Sequence, residues 1–221
     1  MDAVVILAGE APAGQALKIL REKAAQGCLL IAADAGADRL AAAGFQPDII
    51  VGDGDSLQGS FPQAWRIKYQ KRKNFTDGEA ALQLALDRCN GWVWVLGALG
   101  GRPDHQLANL LMPLHSSAPE RVRLAGADWQ GRYITAGWHV IEGRPGDTVS
   151  LLPLTPVSGL TLSGFEYPLQ YYEAQPGDSR TMSNVLAAEA GRISLSEGCL
   201  LAISISDPQE YDKEYQHEAD R

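Results

Sequence analysis

The segment "DIIVGDGDSL", residues 48–57, runs from branched apolar residues into two aspartates, Asp53 and Asp55, separated only by Gly54 and followed by Ser56. A turn uses the glycines but does not need two carboxylates. Acids recur in three further connections: Asp34 with Gly36 in "ADAGADRL", Asp77 after Thr76 in "TDGEAAL", and Asp104 after Arg102 in "GALGGRPDH". Singly, each has an ordinary explanation. An aspartate in a strand-to-helix loop is commonly a turn or N-cap residue. Asp77 complements a helix dipole, Arg102 is a solvated loop charge, and His105 is a helix-surface residue. Together, several carboxylates on one edge repel one another unless a hard cation lies between them. Magnesium takes one or two carboxylates plus substrate phosphates, and is the usual cation in such a setting. Gly100 and Gly101 leave backbone N–H groups open beside Arg102, a combination suited to phosphate oxygens. Acids for magnesium beside such a loop suggest a nucleoside triphosphate or a related phosphoryl donor.

Other chemistries find less support. No GxxxxGK[ST] run occurs, and no GxGxxG follows the first apolar segment. No nucleophile elbow of the Gx[SC]xG type is present. His105, His115, His139 and His217 lack metal-ligand spacing. Cys28, Cys89 and Cys199 are odd in number and widely separated, which predicts reduced, buried thiols. Trp129, Tyr133 and Trp138 read as core residues, with an aromatic wall for a flat substrate as the alternative. "GWVWV" reads as a buried strand.

These residues need elements to position them. Short apolar runs at 3–9, 28–34, 48–53, 92–97 and 121–126 predict strands. They alternate with helical patterns at 14–27, 36–44, 76–91 and 103–115. Thr76 caps the third helix, with Glu79 completing a capping box, and Pro103 sits in the first turn of the fourth. Strands that are apolar throughout, alternating with helices, predict a parallel sheet covered on both faces. In an open sheet of this kind, ligands bind beyond the carboxyl ends of the strands. Asp34, Asp53, Asp55, Ser56, Gly100, Gly101, Arg102 and Asp104 all fall there, and the helix start at Thr76 and Asp77 should face the same side.

After Gly126 the period changes. Short segments rich in Thr, Val, Ile and aromatics, punctuated by Gly and Pro, predict an all-β, sandwich-like unit. The expected division is an α/β nucleotide-binding domain at 1–126 and a β-sandwich domain at 127–221. The polar tail at 206–221 is expected to fray. A net charge of −8 over 221 residues argues against nucleic acid or an anionic membrane as the main partner. No transmembrane run and no basic, apolar leader are seen, so a soluble cytoplasmic protein is expected.

The ordered blocks "AADAGADRL", "PDIIVGDGDSL", "TDGEAAL", "LGALGGRPDHQLANL", "VSLLPL", "GLTLSGFEYPL" and "SN" resemble the thiamine pyrophosphokinase family from about residue 30 to residue 203. The resemblance implies an α/β nucleotide domain, a β-sandwich domain for thiamine binding and dimerisation, and a homodimer. It implies magnesium-dependent transfer of the pyrophosphoryl group of ATP to the hydroxyl of thiamine, releasing AMP. By position it assigns Asp53, Asp55, Asp77 and Asp104 to magnesium and the phosphates, with Asp55, Asp77, Arg102 and Asp104 as the catalytic set. Asp34, Gly36, Gly52, Ser56, Thr76, Gly100, Gly101, His105 and Asn109 would line the nucleotide site, and Ser183 and Asn184 the substrate site. Asp77 or Asp55 would accept the hydroxyl proton.

Five positions depart from the family pattern. Gly54 stands where the family has Phe, Ala35 and Asp38 alter "ADGGAN" to "ADAGAD", Asn74 replaces an acid, and Ala202 stands where some members carry tryptophan. These bear on metal stoichiometry and on the acceptor. Two other readings therefore stand beside thiamine: another heterocyclic alcohol such as a hydroxymethyl pterin, and a binding module without turnover.

Overall fold

The structure, a computed structural model, describes residues 1–69 and 74–205; the predicted tail at 206–221 lies outside them. The chain separates into two compact units, Met1–Ala127 and a second beginning at Asp128.

In the first unit, β1 (Ala3–Ile6), β2 (Leu29–Ala33), β3 (Ile49–Val51), β4 (Trp65–Ile67), β5 (Val93–Leu96) and β6 (Val122–Ala125) pair in parallel, in the order β6-β5-β1-β2-β3-β4. The helices are α1 (Gly14–Ala25), α2 (Gly36–Ala42), α3 (Asp77–Arg88) and α4 (Pro103–Leu111). Every residue of β1 is fully buried, as a strand covered on both faces requires. One face packs Val4, Ile6, Leu30 and Leu96 against Ile19 and Leu20 of α1 and Leu40 of α2. Each such side chain contributes about 1.5–3 kcal/mol on burial. α3 packs against β1, β2, β3 and β5. Strand order reverses between β1 and β5, which marks the crevice where ligands bind in sheets of this kind.

Two elements of this unit differ from expectation. β4 was not predicted: it is a three-residue edge strand with Trp65 60% exposed, so no apolar run announces it. The fourth helix stops at Leu111, and Met112–His115 form a 3-10 turn. Pro113 lacks the N–H that a continuing α-helix needs.

The second unit is antiparallel. β7 (Trp129–Ile134), β9 (Thr148–Pro153), β12 (Asn184–Val185) and β14 (Leu200–Ile205) form one set, in the order β12-β9-β14-β7. β8 (Gly137–Glu142), β10 (Val157–Ser163), β11 (Leu169–Ala174) and β13 (Ala190–Leu195) form the other, in the order β11-β10-β13-β8. Ile134, Val149, Leu151 and Leu200 from the first set meet Ile141, Leu160, Leu162 and Ile193 from the second in one core. The predicted sandwich is therefore present. Tyr133 is buried as expected, whereas Trp138 is 79% exposed on the edge strand β8. Cys28, Cys89 and Cys199 are free thiols, and burial pushes Cys28 up to about 11. Among the described residues no helix is long and apolar enough to cross a membrane.

Candidate active site

The carboxyl ends of β2 and β3 and the start of α3 bring three predicted residues into contact. Gly52 leaves β3 with φ +146, and its N–H donates to the Ile67 carbonyl at 3.1 Å. A Cβ placed on Gly52 would lie 3.1 Å from Asp34 Cβ and 3.2 Å from Asp77 Oδ1. Glycine suits this position because the Asp34 side chain and the Asp77 carboxylate both close on it, and its φ lies in the region that favours glycine.

Asp34 is the strained member. Its φ of +45 is left-handed, a conformation that costs a residue with a Cβ energy. Its Oδ1 is buried without a hydrogen-bond partner. Burial is the main cause that raises its pKa, and the charges of Asp77 and Asp53 add to it; a Ser56 hydrogen bond works in the opposite direction. Asp34, Asp53, Ser56 and Asp77 thus form one electrostatic group. Asp55 is exposed in the same loop, where its N–H donates to Asp53 Oδ1 at 3.1 Å.

Thr76 caps α3 as predicted, its Oγ1 accepting the Glu79 N–H at 3.1 Å. That fixes Asp77 in the first turn, where the N-terminal dipole favours its negative charge. Gly36 packs α2 directly on β1, since a Cβ there would lie 2.1 Å from the Ile6 carbonyl oxygen.

The β5 connection is built differently. Gly100 and Gly101 have φ +92 and +78, and no atom lies within 4 Å of a Cβ built on Gly101, so that backbone is open. Arg102 pairs with Asp104 through two of its nitrogens, Nε to Oδ1 at 3.1 Å and Nη2 to Oδ2 at 2.6 Å. The pair is exposed, and the Arg102 hydrogen bonds bring Asp104 down to about 2. The His105 N–H also donates to Asp104, while the His105 side chain is exposed. Asn109 Nδ2 donates to the Ala98 carbonyl at 2.9 Å and holds α4 to the loop.

Sequence reasoning overlooked the loop after β1. Gly9 and Glu10 donate to the carbonyls of Gly97 at 3.2 Å and Leu99 at 2.8 Å, tying that loop to the glycine-rich one. The signal was available: Gly9 ends the first apolar run, and the carboxyl end of β1 lies on the same edge.

In the second unit Asn184 is 3% exposed, and its side chain binds local backbone. Oδ1 accepts from Tyr167 N at 3.1 Å and Val185 N at 2.9 Å, and Nδ2 donates to the Tyr167 carbonyl at 2.9 Å. Ser183 beside it is exposed, with φ +52. Ala202 is 1% exposed within the sandwich core, opposite Arg132 on β7 and Leu151 on β9.

Among the described residues no three His, Cys, Asp or Glu side chains already close around an ion. Magnesium does not require that, since phosphates and water complete its shell. The orphaned Asp34 oxygen, with the charges of Asp77 and Asp53 acting on it, fits such a partly protein-built site.

Comparison with known proteins follows the same division of the chain. Residues 20–124 match the family model described as thiamin pyrophosphokinase, catalytic domain. Residues 139–200 match thiamin pyrophosphokinase, vitamin B1 binding domain. A curated relative, thiamine pyrophosphokinase of Bacillus subtilis (strain 168), is 30% identical over 191 residues, covering 81% of this chain and 88% of its own. The solved structure of thiamine pyrophosphokinase from Bacillus subtilis aligns with a TM-score of 0.81 at 26% identity, over 94% of this chain and all of that one (100%). That of thiamin pyrophosphokinase from Geobacillus thermodenitrificans gives 0.81 at 28% identity, over 94% and 99%. The chain is therefore an enzyme of the thiamine pyrophosphokinase family.

Proposed function

We propose that this enzyme transfers the pyrophosphoryl group of ATP to the hydroxyl of thiamine, giving thiamine diphosphate and AMP, with magnesium as the cation. The observation that carries the reading is the meeting of Asp34 and Asp77 on Gly52, with one Asp34 carboxylate oxygen buried and unpartnered. Asp53, Asp55 and Asp77 would hold magnesium, which when bound would neutralise the charge on the phosphates.

The chain's own groups do the rest by positioning and charge. Backbone N–H groups at Gly100 and Gly101 take phosphate oxygens, and Arg102 offers its guanidinium to them. Asp104, bonded through both oxygens, orients that guanidinium rather than facing a cation. Asp34 holds negative charge beside Asp77, and a carboxylate of the same edge, Asp55 or Asp77, receives the hydroxyl proton. Ser183 is the exposed candidate for acceptor contact in the second unit, where Asn184 shapes the backbone around it.

We further propose a cytoplasmic homodimer, with 1–126 as the nucleotide domain and 127–221 as the thiamine-binding and dimerisation domain. The exposed Trp138 and Val140 of β8 supply apolar surface of the kind that association buries.

The test is to incubate the protein with ATP, magnesium and thiamine and to identify products by mass. Thiamine diphosphate and AMP in equal amounts are expected. AMP without thiamine diphosphate would redirect the reading to another acceptor alcohol, and thiamine binding without AMP to a module that does not turn over.

A further inference from the structure

Asp38 lies in the first turn of α2, at the position where the family pattern has asparagine. Its carboxylate spans two consecutive backbone donors. The Gln58 N–H reaches Oδ2 at 3.0 Å and the Gly59 N–H reaches Oδ1 at 2.7 Å. These donors sit just past the segment that carries Asp53, Asp55 and Ser56. At its other end the segment is fixed by the bond from Gly52 N–H to the Ile67 carbonyl.

Between the two anchors the loop is tied to Asp34, which Ser56 and the Gly54 backbone hydrogen-bond. Asp55 N–H donates to Asp53 Oδ1 at 3.1 Å, and Leu57 N–H reaches the Gly54 carbonyl only at 3.4 Å. Gly54 offers no side chain for packing, and its φ of +81 is a conformation that a ring-bearing residue resists. Leu57 and Phe61 pack against Ala32, Ala37 and Ile50, which seats the far side of the loop against α2.

We propose that Asp38 is a positioning residue for the reaction, its two-oxygen clamp holding the loop that presents Asp53 and Asp55 to the cation and phosphates. Both bonds are charge-assisted, and so stronger than neutral ones. Asparagine cannot reproduce the clamp, because it has one acceptor oxygen and would turn an NH2 group toward the second N–H donor. The clamp stands in this chain together with Gly54, at the position where the family has Phe. The proposal rests on the reading of the acidic loop as a magnesium and phosphate site.

Asp38→Asn and Asp38→Ala test it. Amide exchange at Gln58 and Gly59 should accelerate at least about tenfold, and Mn²⁺ affinity, followed by electron paramagnetic resonance with a non-hydrolysable ATP analogue, should fall roughly 10- to 100-fold. In turnover the half-saturating magnesium should rise by the same factor while the KM for thiamine stays unchanged. Unchanged exchange at Gln58 and Gly59 would overturn the clamp. Faster exchange with unaltered Mn²⁺ affinity would reduce Asp38 to a structural residue and overturn the proposal equally. Asp38→Asn keeps the side-chain volume and decides the matter if Asp38→Ala does not fold. The exchange and Mn²⁺ measurements need no turnover, so they remain decisive if the wild-type protein fails to make thiamine diphosphate.

Discussion

Asp34 and Asp104 follow two strands of one parallel sheet, yet their surroundings drive their acidities in opposite directions. Asp104 is exposed and bonded through both oxygens to Arg102, which brings it down to about 2. Asp34 is raised, first by burial and then by Asp77 and Asp53, and one of its oxygens has no partner. One carboxylate has its counter-charge built into the chain. The other is held against like charges in a strained backbone, an arrangement that is stable only because the surrounding fold imposes it. The difference assigns roles. The β5 connection carries its own counter-charge and is suited to receiving phosphate, whereas on the edge formed by β2, β3 and α3 the charges of Asp77 and Asp53 bear on Asp34.

The strongest way to break this contrast is to remove a carboxylate from the crowded side. Asp77→Ala should lower turnover by on the order of 10²–10³-fold, as loss of a preorganised charge-stabilising group does. The circular dichroism spectrum should not change, because the Thr76 cap remains. A loss of only a few fold would mean that Asp77 does not face the reacting phosphates.

On the paired side, Arg102→Ala should raise the KM for ATP roughly 10- to 100-fold, the loss expected for charge-assisted hydrogen bonds. Its melting temperature should stay at the wild-type value, since an exposed ion pair adds little to stability. Steady-state kinetics and a thermal melt on one preparation check both halves.

The pH dependence of stability separates the two carboxylates further. Asp34 binds its proton more tightly in the folded state than in the unfolded one. Stability therefore falls as pH rises from the ordinary aspartate range through the raised value, and the penalty persists in full above it. Asp34→Asn should abolish that slope and raise the melting temperature at neutral pH in the absence of magnesium, and asparagine also tolerates the left-handed backbone. Adding magnesium to the wild type should relieve the same penalty. Asp104 runs the other way. Its contribution is present above the ordinary range and is lost as pH falls toward about 2, and it is small because the pair is solvated. Melts recorded across the acidic range, with and without magnesium, would show whether the slopes have these signs.

The smallest effect concerns support. Thr76→Ala removes the α3 cap and should cost about 1 kcal/mol in denaturant unfolding, with a modest loss of activity through Asp77.

Much of this was legible in the sequence because the sheet is buried and its loops end in glycine. β1, β2 and β5 are apolar throughout, and Thr76 with Glu79 marks the start of α3. β4 escaped notice because a three-residue edge strand carrying an exposed Trp65 has no periodicity to read. β11 escaped because exposed polar and tyrosine residues mask its alternation. At the site, residue type and strand-end position identified the acids but not their partners. The pairing of Asp104 with Arg102 depends on side-chain direction. The bonds that Asn184 makes to Tyr167, and Asp38 to Gln58 and Gly59, span 17 to 21 residues and leave no local trace.

The central claim is that the β2, β3 and α3 edge, and not the Arg102–Asp104 pair, receives the divalent cation. A Mn²⁺ titration with a non-hydrolysable ATP analogue, followed by electron paramagnetic resonance, compares wild type with Asp77→Asn and Asp104→Asn. The account predicts that Asp77→Asn weakens Mn²⁺ binding by at least about tenfold, while Asp104→Asn leaves it close to wild type. Equal loss in both variants, or loss only in Asp104→Asn, would contradict it.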